Sequence, residues 1–582
     1  MPVRRRLPPQ GLSSLWVVMD LTGAPPISRR LSRSKIEADS VEVLCDESSF
    51  VGSLSYKVPA GMVLRVGDAV RVPFGKREKY GMVVAPGDPS KATREVLECF
   101  GPRTGELEIA LAAQLASEQF CPFSQIAPRL APRTKRGNPP LKLSRARLHP
   151  GASRTDLALP TDSPPRVVLA LAPGVDPVRT AALEALRLSE HGQVLLLSPT
   201  KDMVSALLAE FADGAARMDV VPKKDEPSAW RGFLEGTVPI AIATRSSALW
   251  PAKDLAGIVV LDENHPGHQE SSQPYTNARS VAVRRTLAAG ADLVLISSVP
   301  SLAALASRSK LMQVGADHHW PTVRLVAKND VDPFTRSAPP LAVSAISDAR
   351  RARRGAYVLA PSSASRLRCR SCRLMHDPTV SNTSDGTAPP SPPSRCSRCG
   401  GAISVSGLGP ERVQQLFTKA TVLTFSELLK SDPRPGSTVV VLDADSLASA
   451  PDVEPSLTVS SALYAAARLA GPLGTVVVCS NDNPPEAVLD LLVKKDFRRH
   501  AKRVWSIAKQ LSLPPFVRLL ECRFQRKTPP APPTFGCKVL GPKKVVDGEW
   551  EMRLLVPEGD LDKLRPWVEA NKRRGKMRLS AS

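Results

Sequence analysis

Two stretches of the chain carry short, unbroken apolar runs that alternate with helix-like segments. In the first, Val167-Val168-Leu169-Ala170-Leu171 precedes an Ala/Leu helical pattern over Thr180 to Leu188, and Val194-Leu195-Leu196-Leu197 follows it. Ile240-Ala241-Ile242, Ile258-Val259-Val260-Leu261 and Leu293-Val294-Leu295-Ile296 repeat the theme. A run without polar alternates has no face for water, so it reads as a strand covered on both sides. Strand–helix alternation of this kind makes a parallel α/β sheet. A second set recurs at Tyr357-Val358-Leu359, Val422 to Phe425, Thr438 to Leu442 and Thr475 to Val478. The sequence therefore predicts two α/β lobes in tandem, over residues 166–320 and 321–510.

The flanks have other periods. Residues 1–40 are polar, Arg-rich and broken by proline, and are expected to be a flexible tail. Over 41–104, short alternating segments (Val41 to Leu44, Leu54 to Val58, Ala69 to Val72, Tyr80 to Val84) separated by Gly and Pro predict a small all-β domain. A helical segment follows over 105–129, then a basic, acid-free stretch from Arg133 to Arg147 and a Pro-rich linker that closes near Pro165. Residues 511–582, with short strands and Pro-rich loops, read as a small α+β C-terminal domain.

No apolar run approaches the ~18 residues a membrane span needs, and Leu15 to Met19 is too short for a signal-peptide core, so a cytoplasmic setting is expected. The net charge is +23, spread over clusters at 133–147, 350–373, 494–503 and 572–578. A balance this basic points to a polyanionic partner such as nucleic acid.

Ten cysteines are too few for a disulfide scaffold in a chain this long. Six are scattered and read as reduced thiols. The other four form two C-x-x-C pairs, Cys369/Cys372 and Cys396/Cys399, with a 23-residue insert rich in Pro, Ser and Thr between them. Two such turns facing each other make a tetrahedral thiolate site suited to one structural Zn²⁺, with His376 as a further candidate ligand.

Ligands of an open parallel sheet sit beyond the carboxyl ends of its strands. At one such end Asp262-Glu263-Asn264-His265 places an acid pair where an NTPase keeps its Mg²⁺ ligand and its water-orienting carboxylate. Where a phosphate loop should lie, the chain reads Pro173-Gly174-Val175-Asp176-Pro177-Val178-Arg179-Thr180. A working cradle needs glycines and a lysine. Here Pro177 removes an N–H, Asp176 brings negative charge, and Arg179 stands in for the lysine.

In this order the residues resemble the primosomal protein N′ (PriA) family of replication-restart DNA helicases, from about Val41 to near the C-terminus. Val70-Arg71-Val72-Pro73-Phe74-Gly75-Lys76 matches the family's V-R-V-P-F-G segment. Ala243 to Ala248 resembles G-T-R-S-A, Asp262 to His265 resembles D-E-E-H, and Ser297 to Ser301 resembles G-S-A-T-P-S. Tyr275 to Arg279 and then Ala282 to Arg284 are similar to the aromatic- and Arg-bearing loop. Gly407 to Val413 resembles G-L-G-T-E-R-V, and Leu513 to Leu519 resembles Y-P-P-F-x-R-L.

The resemblance implies two RecA-like helicase-type lobes with an inserted zinc module at about 366–402, a winged-helix-like helical segment over 105–165, and a β domain that holds the 3′ end of a nascent strand. By position that pocket would use Leu54, Ser55, Gly75 and Lys91, where the family has Phe-Asp in place of Leu54-Ser55. Arg71, Lys76, Arg77, Lys79 and Arg279 are candidate DNA contacts, with Arg133, Lys135, Arg136, Arg145 and Arg147. The nucleotide positions would fall on Arg179, Thr180, Asp262, Glu263 and Arg468.

The departures are as informative. The family's G-S-G-K-T is Asp176 to Thr180 here. Its A-G-R-A-G-R is Ala466-Ala467-Arg468-Leu469-Ala470-Gly471, which keeps one arginine. Four of its eight zinc-binding cysteines remain. The expected function is a DNA-binding restart factor that recognises stalled forks and helps reload the replication machinery without helicase activity, so that ATP and Mg²⁺ are doubtful cofactors. The partners implied are branched DNA, primosome and helicase-loading proteins and single-stranded-DNA-binding protein, with no membrane. The alternatives are an active ATP-dependent 3′→5′ helicase and a zinc-dependent primosome scaffold.

Overall fold

The computed structural model describes residues 29–46, 52–132, 139–149, 164–218, 226–327, 338–361, 367–369, 371–372, 375–376, 395–405, 409–448, 455–481, 483–525, 530–533, 535–544, 549–571 and 573–579. The chain divides into two compact units. One holds residues 1–169, 176–312 and 508–582, and the other residues 170–175 and 313–507.

The first unit opens with a five-stranded sheet in the order Leu54–Lys57, Ser40–Cys45, Arg77–Pro86, Asp68–Phe74, Glu98–Pro102. Every pairing in it is antiparallel. Val41, Val43, Val70, Val72 and Val83 alternate onto one buried face. The strands Asp68–Phe74 and Arg77–Pro86 are joined across Gly75 and Lys76, with Phe74 opposite Arg77. Gly75 has φ +61°. A two-residue hairpin with a left-handed first residue is where glycine is favoured, so this glycine serves the turn. Residues 29–39 correct the expectation of a loose tail. Leu31 N–H donates to Lys253 O at 2.8 Å and Ile36 N–H to Leu64 O at 2.9 Å, and Ile36 is buried in the core of the β sheet. Arg29, Arg30 and Lys35 are exposed while Arg33 turns in to Asp68; residues 1–28 of the expected tail lie outside the described residues.

The first lobe is a seven-stranded sheet, Ala215–Arg217, Ile240–Ala243, Gln193–Leu197, Leu255–Val260, Asp292–Ser297, Arg166–Leu171, Lys310–Val314. Its first five strands pair in parallel. The central strands are buried along their whole length, which is why they carry no polar alternates. Helix Glu106–Glu118 shares this core and is tied to helix Ala278–Ala289 by the buried pair Arg285–Glu108 at 3.0 Å. The C-terminal part is a four-stranded antiparallel sheet, ordered Lys538–Lys544, Trp550–Val556, Arg518–Phe524, Gly575–Leu579, with helix Leu561–Asn571.

The second unit holds a five-stranded parallel sheet, Thr322–Ala327, Thr475–Ser480, Thr438–Val441, Ala356–Leu359, Thr421–Leu423. The edge strand Thr322–Ala327 escaped the sequence reading because its exposed face breaks the apolar run. Phe425 is not in a strand. It opens helix Phe425–Lys430, because Thr424 and Glu427 form a capping box that stops the strand. Among the described residues no helix is long and apolar enough to cross a membrane.

Candidate functional site

The loop that enters helix Pro177–Ser189 is already capped by its own side chain. Asp176 is the N-cap, and its carboxylate accepts from Val178 N–H at 2.9 Å and Arg179 N–H at 3.3 Å. These are the N–H groups that a phosphate would use at a helix N-terminus, and a carboxylate takes them. Pro177 has no N–H to offer. Arg179 turns to Glu210 at 2.6 Å, and the Thr180 hydroxyl donates to Asp176 O at 2.8 Å. Gly174 answers to packing, since a Cβ there would lie 2.8 Å from His319 O.

Beyond strand Leu255–Val260 the acid pair splits into two roles. Asp262 is half-buried with φ +49°, and its carbonyl accepts from His265 N–H at 2.9 Å. Glu263 is 1% exposed. One carboxylate oxygen accepts from Ser297 Oγ at 3.1 Å and Ser301 N–H at 2.9 Å. The other accepts from the Arg279 guanidinium at 2.9 Å and Ser301 Oγ at 2.8 Å. A carboxylate has about four lone-pair sites, so Glu263 is saturated by protein donors. Ser297 and Ser301 belong to the same short motif read from the sequence, and their hydroxyls hold the acid. Arg279, read as a DNA contact, is buried and faces inward to Glu263 and Ser301. Arg468 donates to Ser431 O at 2.7 Å and ties its helix to the end of helix Phe425–Lys430.

His268, three residues past the acid pair's turn, bonds Leu261 O through Nε2 at 2.8 Å. Burial pushes its imidazole down to about 4, aided by the charges of Arg279, His265 and Arg245. Burial likewise pushes His500 down to about 4 in the second unit. Each folded-state value lies below the ordinary 6.5, so the stability from the neutral ring is full above pH 6.5 and is lost as pH falls toward 4. Each histidine should then cost roughly 3 kcal/mol between pH 7 and 4. Urea unfolding across that window measures it, and H268Q/H500Q should flatten the profile.

On the β sheet, Ser55 and Lys91 fall into one network. Ser55 Oγ donates to the Glu42 carboxylate across the strand pair, Asp88 N–H donates to Ser55 Oγ at 3.4 Å, and Lys91 meets Asp88 at 2.8 Å. Leu54 is half-buried, and Gly75 sits at the hairpin tip with its carbonyl held by Arg94 at 2.6 Å. Glu42, Asp88 and Arg94 were missed by the sequence reading. The strand register that sets Glu42 opposite Ser55 would have exposed the first. Arg71 is committed to Glu78 at 2.8 Å and Glu98 at 3.1 Å, whereas Lys76 and Arg77 are exposed at the tip. Arg145 and Arg147 lie 4.0 Å from Glu190 and 3.8 Å from Asp213. Arg133, Lys135, Arg136, Gly407 and Leu408 lie outside the described residues.

The four paired cysteines converge. Cys369 Sγ lies 3.4 Å from Cys399 Sγ, Cys372 Sγ lies 3.5 Å from Cys396 Sγ, and all four sulfurs are within 4.8 Å of one another. Those separations are far beyond the ~2.05 Å of a disulfide. They bracket the edge of about 3.8 Å that a tetrahedron of ~2.3 Å zinc–sulfur bonds requires. The N–H of Cys372 points at Cys369 Sγ and brings that thiol down to about 6, which favours the ligating thiolate. The cluster can hold a metal ion such as zinc.

Residues 42–132 match the family model of the PriA 3′DNA-binding domain. The replication restart protein PriA of Rickettsia felis is 25% identical over 269 residues, covering 43% of this chain and 41% of that protein. That of Chlamydia pneumoniae is 36% identical over 129 residues, covering 21% and 17%. The chain thus spans about two fifths of the first relative's length and less of the second's. The solved DUF1998 helicase MrfA bound to DNA aligns over 63% of this chain and 52% of that one at 13% identity, with a TM-score of 0.29, too low to carry geometry across. The class so defined is a multidomain α/β chain with a β domain similar to the PriA 3′DNA-binding domain ahead of its α/β sheets. Over the matched residues the chain is similar to PriA replication restart proteins.

Proposed function

We propose that the chain is a replication restart DNA-binding protein that recognises forks without running an ATP motor. The match of residues 42–132 to a 3′DNA-binding domain carries the DNA part of this reading. Its exposed hairpin tip, Lys76 and Arg77, and the Glu42–Ser55–Asp88–Lys91 network offer cations for phosphate and acceptors for a strand-end hydroxyl. Two observations support a reading without a motor: Asp176 occupies the helix N–H groups, and protein donors fill the acceptor sites of Glu263. The Cys369/Cys372/Cys396/Cys399 cluster holds one structural zinc, and protein partners that reload the replication machinery dock on the assembled body.

Fork binding at two salt concentrations tests this reading. A fork with a free 3′ hydroxyl should bind about 10-fold more tightly than blunt duplex, and affinity should fall steeply with salt, by a slope of roughly 0.9 per phosphate neutralised. K76Q/R77Q should weaken all DNAs and lower that slope by about 2. Equal affinity for fork and duplex, with little salt response, would favour a scaffold that only touches DNA.

A further inference from the structure

Helix Phe497–Gln510 in the second unit has three unlike sides. Phe497 and Ala501 are buried, with the Phe497 ring 5.9 Å from Trp320 and 6.4 Å from Tyr464. One flank is neutralised by acids. Arg499 meets the buried carboxylate of Asp490 at 2.8 Å, and Arg503 meets Asp490 and Glu486 at 2.9 Å each. The third side carries Arg498 and Lys502, one turn apart, with Lys494 just before the helix; all three are exposed. No carboxylate among the described residues pairs with any of them. At about 100° per residue, Trp505 falls on this side too, and it is half-buried.

We propose that this side of the helix binds the phosphate backbone of duplex DNA. The inference rests on the DNA-binding reading above and assigns it a second contact surface, away from the strand-end module. Phe497 and Ala501 are spent in the core, and the side that carries Arg498 and Lys502 offers exposed charge beside one half-buried indole, which suits a polyanion rather than a lipid surface. Arg498 and Lys502 stand about 6 Å apart along the helix axis, and phosphates on one strand follow every ~3.4 Å, so the pair can reach nearby phosphates of one strand. The acids that pair Arg499 and Arg503 tie that flank of the helix down and leave Arg498 and Lys502 exposed on the other. Such contacts carry no base information, so they add affinity on any sequence.

Anisotropy titrations of the full chain with a duplex of about 20 base pairs and with one of its strands test the assignment. R498Q/K502Q should weaken duplex binding about 10-fold near 0.1 M salt and lower the log–log salt slope by about 2. K419Q/K430Q removes the same charge from other exposed positions of this unit and should leave the slope unchanged, while R498K/K502R should keep it. Duplex should also quench fluorescence in the wild type more than in W505F. An unchanged slope in R498Q/K502Q, with the wild type still binding duplex, would overturn the inference and leave the restart reading intact. A loss confined to single strands would overturn the duplex assignment. A wild type that binds neither fork, duplex nor single strand would overturn both.

Discussion

Replacing Glu263 with glutamine should cost the first unit about 3–5 kcal/mol of stability and leave ATP turnover at its background level, with or without forked DNA. The expectation comes from where the carboxylate's four acceptor sites go. Two serines, one backbone N–H and the buried Arg279 use them all. Glutamine puts an amide donor where two of those donors converge, and it leaves the Arg279 charge without its partner in a site that water does not reach. A motor would respond in the opposite way. There the same change would leave the fold nearly untouched and abolish DNA-stimulated hydrolysis. Urea unfolding and a phosphate-release assay on the same preparations separate the two. A double-mutant cycle with R279Q should return a coupling of about 1–3 kcal/mol, as expected for groups in one network. DNA-dependent turnover that E263Q removes would sink the motor-less reading.

Much of this arrangement was legible in the residues, and the part that was not has a physical cause. The buried strands of both lobes announce themselves because a strand covered on two faces cannot alternate. Edge strands such as Ala215–Arg217 and Thr322–Ala327 have one open side and lose that signature. The phosphate loop could be seen to lack its chemistry from Asp176 and Pro177 alone. That Asp176 actively fills the anion position required the cap geometry. Arg279 shows the limit of reading charge from sequence. An arginine in a basic chain is ordinarily solvated, and only the fold reveals that this one is turned inward to a buried acid. The pairing of Glu42 with Ser55 was hidden for a related reason, because register between separate strands is set by tertiary packing and not by either segment alone.

The purified protein should carry one zinc per chain, and stripping it should unfold the cysteine module while the two lobes stay intact. Among the described residues little else holds the module together. Its sheet consists of Met375–His376, Leu367–Cys369 and Ile403–Val405, three strands of two or three residues. Cys369 and Cys396 are its buried apolar residues among those described, so burial there cannot offset the entropy of ordering the chain. Metal binding can, since structural zinc supplies an apparent ~10–16 kcal/mol in small zinc domains. Chelation, or C396S, should therefore leave far-ultraviolet dichroism little changed and make residues 367–405 quick to cleave by protease. Acid should act in the same direction, because protons compete with the metal for the cysteine thiolates. Metal analysis finding far less than one zinc per chain, in a protein whose module resists protease regardless of chelator, would refute the assignment.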